Sequence, residues 1–304
     1  MTEIRKIKKV IKSKPTLEGA GVHLKRAFGF REVPQFDPFL LLDDFRGDDQ
    51  RHFTKGFPWH PHRGIETITY MLDGFVEHGD SLGNKGIIAP GDVQWMTAGS
   101  GIIHQEMPKP DKTGKMGGFQ LWANLPAKQK MMNPRYREIK SNQIAELTTD
   151  SGIHLKIICG SIAGIEGPAR DIIIEPEYLD ISIPPNTEYA HSTRPGHNVF
   201  AYIIYGQAFF CHEKNPFAHE TEAANYVELQ RHPFITSDDL ILFGDGDQVI
   251  VATENEPVRF LLISGKPIGE PIAWYGPIVM NTQQELETAF DEYDRGTFIK
   301  YKGD

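Results

Sequence analysis

Apolar residues along this chain fall in short runs, interrupted at close intervals by glycine or proline, and few of those runs keep a helical period. Glu66 to Leu72, Val93 to Thr97, Gly118 to Ala123, Leu155 to Ile158, Phe200 to Tyr205, Leu240 to Phe243 and Val258 to Ile263 have strand length and are rich in β-branched and aromatic side chains. With 29 Gly and 21 Pro in 304 residues as punctuation, the pattern predicts an all-β protein of the sandwich or barrel kind. Ile4, Ile7, Val10 and Ile11 predict a first strand within the lysine-rich opening MTEIRKIKKVIKSK. A targeting peptide would need an apolar stretch after those charges, and none follows. Helical spacing is clearest near the end, where Leu286, Phe290 and Tyr293 recur at i, i+4 and i+7 and Asn281 and Gln284 stand at capping-box spacing.

The chain also resembles itself. Tyr70 and Gly74 in ITYMLDGFV match Tyr202 and Gly206 in FAYIIYGQAF at an offset of 132, and GDVQWM from Gly91 matches DDLILF from Asp238 at an offset of 147. A longer loop in the second copy accounts for the difference. These matches predict two antiparallel β-barrels of similar plan, with the border in the polar stretch from Pro134 to Gly152. The expected division is residues 1–140 for the first barrel and 141–304 for the second, with the C-terminal helix at its end.

Charge and cysteine usage narrow the function classes. The balance of 32 basic and 41 acidic side chains gives a formal charge of −9, which provides no footprint for direct nucleic-acid or anionic-membrane binding. No apolar run approaches the ~18 residues of a membrane-spanning helix. Cys159 and Cys211 make no disulfide framework, so a reducing cytoplasm is expected.

The chemistry is concentrated in the first copy, where residues 60–66 read HPHRGIE and residues 101–106 read GIIHQE. Side chains on a strand repeat every two residues, so His60 and His62 project to one face, as do His104 and Glu106 on another strand. A lone His-x-His arises by chance about once in two chains of this size and histidine content, so one pair alone says little. Two pairs on separate strands can close on one ion. Three imidazoles and a carboxylate suit Fe, Mn, Ni, Cu or Zn and are poor for Ca or Mg. Glu66 shares the parity of His60 and His62 and is expected to orient an imidazole N–H, or else to be a fifth ligand. Asp43 and Asp44 in LLLDDF are expected in turn or packing roles without catalytic function. Phe57, Trp59, Trp95 and Trp122 are expected to be core, with one or two forming a cavity wall. At the offsets of the repeat, Ser192, Arg194, Asn198, Val251 and Thr253 replace the ligand set, so the second barrel is expected to lack a metal.

The segments PWHPHRGIETITYMLDG, PGDVQWMTAGSGIIHQEMP, GFQLWANLP and YGPIVMNTQQEL, together with FDPFLLLDDF, resemble the pirin family of the cupin superfamily over nearly the whole chain. The resemblance implies a bicupin of jelly-roll type in which His60, His62, His104 and Glu106 hold one divalent metal per chain. Iron(II) is the metal it favours, with Zn, Ni, Cu, Mn or Co as alternatives. It further implies a quercetin 2,3-dioxygenase-like activity, in which a flat aromatic chelating substrate is opened by O2 with release of carbon monoxide and Glu106 accepts the substrate's 3-hydroxyl proton. Other pirins resemble non-catalytic redox sensors that bind a transcriptional protein partner, and this is the alternative function.

Overall fold

The computed structural model of the chain describes residues 2–222 and 232–301. Every predicted run lies within a strand: Ile65–Asp73, Val93–Thr97, Gly117–Asn124, His154–Cys159, Asn198–Phe210, Asp239–Phe243 and Val258–Gly265. The internal likeness is visible in the strand register. Tyr70 faces Val93 across one antiparallel pair, and their counterparts Tyr202 and Leu240 face each other across another. Gly74 and Gly206 both take the left-handed conformation, at φ +69 and +81. At Gly206 a Cβ would sit 1.9 Å from the Pro257 carbonyl oxygen, so only glycine fits there.

The strands pair into sheets of eleven, seven and four, with two further two-stranded pairs. Hydrogen bonding does not close any of these into a ring among the described residues. The fold is mostly β, in two units built of sheets, and the expected closed barrels are not seen among the described residues. In the unit that carries the histidine motifs, closure is by side chains. Val22, Leu24 and Met71 from the seven-stranded sheet share one core with Val76 and Ile88 from the four-stranded sheet.

The two compact units differ from the expected linear division. One comprises residues 1–14, 35–37 and 142–267, and the other comprises 15–34, 38–141 and 268–304. The internal border lies between residues 141 and 142, and the chain ends are exchanged between the units, for identifiable reasons. Ile7–Lys12 pairs antiparallel with Asp239–Phe243, and Ile7 and Val10 enter the aliphatic core around Ile241, Val249 and Phe260. The α-helix Gln283–Asp294 buries Leu286 and Ala289 against Ile278, Met280 and Phe298 of the unit that holds the histidine motifs. Its cap is Thr282, one residue beyond the expected Asn281. The Thr282 hydroxyl accepts from the Glu285 N–H and the Glu285 carboxylate accepts from the Thr282 N–H. Asn281 instead donates to Glu270 and to the Pro271 carbonyl. No helix among the described residues is long and apolar enough to cross a membrane.

Candidate metal centre

His60 and His62 lie on the strand Phe57–His62 at the edge of the four-stranded sheet. That position tolerates Pro58 and Pro61, because an edge strand leaves one row of backbone groups without sheet partners. Its neighbour, Ile102–Lys109, carries His104 directly opposite His60. The two strands bring three of the four predicted residues together. The ligand nitrogens of His60, His62 and His104 all lie within 4.8 Å of one another, and the group can hold a metal ion.

The hydrogen bonds around these rings determine what they can bind. His60 Nδ1 is 2.8 Å from the Pro58 carbonyl oxygen and His62 Nδ1 is 3.0 Å from that of Pro277. A carbonyl only accepts, so both rings carry their proton on Nδ1, which leaves a lone pair on each Nε2. Those two Nε2 atoms face each other at 3.1 Å. Neutral rings with this tautomer cannot hydrogen-bond to each other, and the pair calls for a cation between them. Two nitrogens at ~2.0–2.1 Å from one ion and at right angles would be about 3 Å apart, which matches the observed separation. Both ring nitrogens of His104 are buried without a hydrogen-bond partner. Burial, with the neighbouring imidazoles, holds His62 and His104 well below the ordinary imidazole range, so protonation is not the way this cluster is satisfied.

Glu106 is on the same strand face as His104 but outside the three-histidine group. It is buried, and the Thr69 hydroxyl lies 3.1 Å from its Oε1. Glu66 departs from the expectation that it orients an imidazole. Its carboxylate accepts from Trp95 Nε1 at 3.1 Å and from Thr97 Oγ1 at 2.6 Å. The reason is Gly64, whose φ of +78 breaks the strand between His62 and Ile65, so parity does not carry across it. Burial pushes the Glu66 carboxyl up against the pull of those two donors.

His60, His62 and Glu106 open on a cavity of about 730 Å³, within the ~300–1,000 Å³ usual for small-molecule sites. Trp122 packs edge-on to His62 at 5.1 Å and continues to Trp274 at 6.0 Å, which meets Phe30 at 5.5 Å. Of the aromatics expected in the core, Trp95 is fully buried, whereas Phe57 and Trp122 form cavity wall and Trp59 stands 53% exposed at its margin. Asp43 and Asp44 are not in a turn. They end the buried strand Phe39–Asp44, paired with Arg26 and Arg46 respectively.

Sequence reasoning missed the groups that brace the cluster from behind. Arg63 is buried next to His62 and donates to the carbonyls of Ser100 and Phe298 and to Glu292. Lys130 Nζ donates to the Gly64 carbonyl at 2.9 Å, Asn124 Oδ1 at 2.6 Å and the Val279 carbonyl at 2.9 Å. Burial draws this ammonium down to about 7, against the attraction of the Glu270 and Glu285 carboxylates. Arg63, placed directly after the HPH motif and before a glycine, was the available signal.

Two β-rich units, one of them holding three converging imidazoles on adjacent strands, place the chain in the cupin class. Comparison with known proteins narrows this, and the chain belongs to the pirin family. The Pirin family model matches residues 21–123 and that of the Pirin C-terminal cupin domain matches residues 178–299. A pirin-like protein of Caulobacter vibrioides is 40% identical over 296 residues, covering 97% of this chain and 99% of that one. The crystal structure of quercetin 2,3-dioxygenase from Acinetobacter baumannii is similar with a TM-score of 0.83 at 28% identity, covering 97% of this chain and 98% of that one. A bacterial pirin from Escherichia coli, solved in complex with nickel(II), shares the fold with a TM-score of 0.59 at 20% identity, covering 85% of this chain and 99% of that one.

Proposed function

We propose that this protein is a mononuclear-metal dioxygenase that cleaves flavonols with O2, and that His60, His62, His104 and Glu106 hold its single metal, iron(II). The observation that carries the reading is the facing pair of Nε2 lone pairs at 3.1 Å, beside the unpartnered His104, at the end of an aromatic-walled cavity. The likeness to a quercetin 2,3-dioxygenase supports the substrate class.

When bound, the metal supplies the redox chemistry with O2 and acidifies a hydroxyl that it binds. The protein's own residues supply position and proton handling. The walls of Trp122 and Trp274 take the flat ring system and exclude water from it. Glu106, whose Oε1 lies 3.1 Å from the Thr69 hydroxyl oxygen, accepts the 3-hydroxyl proton. The Pro58 and Pro277 carbonyls keep the protons of His60 and His62 on Nδ1 and their Nε2 atoms free. In the overall reaction both atoms of O2 enter the product depside and one ring carbon leaves as carbon monoxide.

The test is loss of the flavonol absorption band, with carbon monoxide release, when O2 is added to protein carrying one equivalent of Fe(II). Glu106→Gln keeps the size of the side chain and one oxygen donor but removes the proton acceptor. It should lower turnover by ~10²- to 10⁴-fold with metal retained. An untouched flavonol at full Fe(II) loading would overturn the dioxygenase reading in favour of a redox-sensing protein that binds a regulatory partner.

A further inference from the structure

The cavity carries a row of polar side chains that the proposed ligand set does not use. Arg26, Asp43, Gln120, Thr69 and Gln94 are successive cross-strand partners on five adjacent strands of the seven-stranded sheet. All but Gln94 line the cavity. The inner face of a β-sheet is ordinarily apolar, as it is two residues along, where Leu41 pairs with Trp122. Five polar partners in register are therefore a built feature with a use.

The hydrogen bonds within the row define what it still offers. Arg26 donates to both Asp43 oxygens, at 2.8 and 2.7 Å, and also meets Glu18 at 2.9 Å. Each Asp43 oxygen keeps a further lone pair. Burial pushes the Asp43 carboxyl up to about 6 against the pull of Arg26, which leaves it ionised at neutral pH and a strong acceptor. The Thr69 hydroxyl lies 2.7 Å from Gln120 Oε1, so the amide oxygen is engaged. The amide nitrogen of Gln120 has no partner among the described residues, which leaves two N–H donors. An acceptor and a donor side by side on a mostly apolar wall suit a neutral hydroxyl, which gives one hydrogen bond and takes another. They suit an anion poorly, because Asp43 and Glu18 together outnumber the charge of Arg26.

We infer that Asp43 and Gln120 form a second recognition point, for a phenolic hydroxyl remote from the chelating group. The inference rests on the flavonol reading above and adds to it a residue pair that binds the far end of the substrate. Arg26 compensates the Asp43 charge, and Thr69 fixes the amide orientation of Gln120.

The experiment is an anaerobic titration of the Fe(II)-loaded protein with 3-hydroxyflavone, which lacks remote hydroxyls, and with kaempferol, which has them but no catechol that could chelate metal by itself. Absorption of the chelate gives both affinities without turnover. The wild type should bind kaempferol ~10- to 100-fold more tightly, the range expected for a hydrogen bond to a charged group. In Gln120→Leu and Asp43→Asn that ratio should collapse to about threefold or less. Because the readout is a ratio within each protein, a change in overall stability does not imitate it. A wild-type ratio near one, or a ratio preserved in both variants, overturns the subsite alone. Absence of any complex with 3-hydroxyflavone overturns the flavonol reading and the subsite with it.

Discussion

Lys130→Met tests whether the C-terminal segment is part of the metal centre or merely packs near it. The lysine joins three places: Gly64 just after the HPH motif, Asn124 at the end of a strand, and Val279 in the C-terminal segment. Methionine fills much of the same volume but leaves three buried oxygens without that donor. The Gly64 carbonyl and Asn124 Oδ1 each keep a contact with the Leu125 N–H, at 3.4 and 3.1 Å, so the lower end of the usual ~1–3 kcal/mol per orphaned group applies to them. Three such terms, less the recovered cost of burying an ammonium, come to about 2–4 kcal/mol. At ~2–4 °C per kcal/mol for a unit of this size, the melting midpoint should fall by ~4–16 °C. The second effect is specific to the site. Pro277, two residues before Val279, holds His62 Nδ1, so metal affinity should fall ~10- to 100-fold, as for other groups that orient a ligand. Thermal melting by circular dichroism and competitive metal titration measure the two effects. A midpoint lowered by less than about 2 °C, or lowered as expected with metal affinity unchanged, would refute the coupling.

Further outcomes follow from single features. His62→Ala should purify without tightly bound metal by elemental analysis, and retention of a full equivalent would show that the ligand set is wrong. Gly64→Ala would place a Cβ 2.0 Å from the Val279 carbonyl oxygen at a φ of +78, and should destabilise the protein by more than ~2 kcal/mol in a denaturant titration. A loss below ~1 kcal/mol would mean that this close approach is easily relieved. Burial raises the Cys211 thiol to about 11, so at pH 8 only about one thiol in a thousand is ionised. Alkylation of the native protein should therefore be slow at pH 8 and quicken about tenfold per pH unit toward pH 11, with Cys159 protected by burial and by its contacts with the Ala169 and Pro176 carbonyls. Rapid stoichiometric labelling at pH 8 would contradict this.

What could be read from the sequence was what depends on neighbours along the chain. Strand runs such as Val93–Thr97 were bounded by glycine and proline, and the shared face of His60 with His62, and of His104 with Glu106, was legible because each pair sits within one unbroken strand. Where a single residue resets the geometry, the reading failed. Gly64 turns Glu66 toward Trp95 and Thr97 instead of toward an imidazole. The row from Arg26 to Gln94 was hidden for a different reason. Its members are joined only by the register of five strands, and Asp43 taken alone looks like a packing residue. The exchange of the chain ends was likewise invisible, since the apolar stripes of Ile7–Lys12 and Gln283–Asp294 state that each must be covered but not by which partner.

That exchange governs the order in which the protein can be made. A ribosome releases the HPH and HQE strands well before Pro277, whose carbonyl holds His62, and Val279, which anchors Lys130. Residues 1–14 must wait for Asp239–Phe243 before they have a sheet to join. Neither unit can therefore be completed from one continuous stretch of chain, and both depend on contacts of very long sequence separation, which slow folding. A fully braced His62 must consequently wait for Pro277 to be made. Dividing the gene at residue 141 would yield two polypeptides that each lack an essential part, and they should regain a metal-binding protein only when produced together.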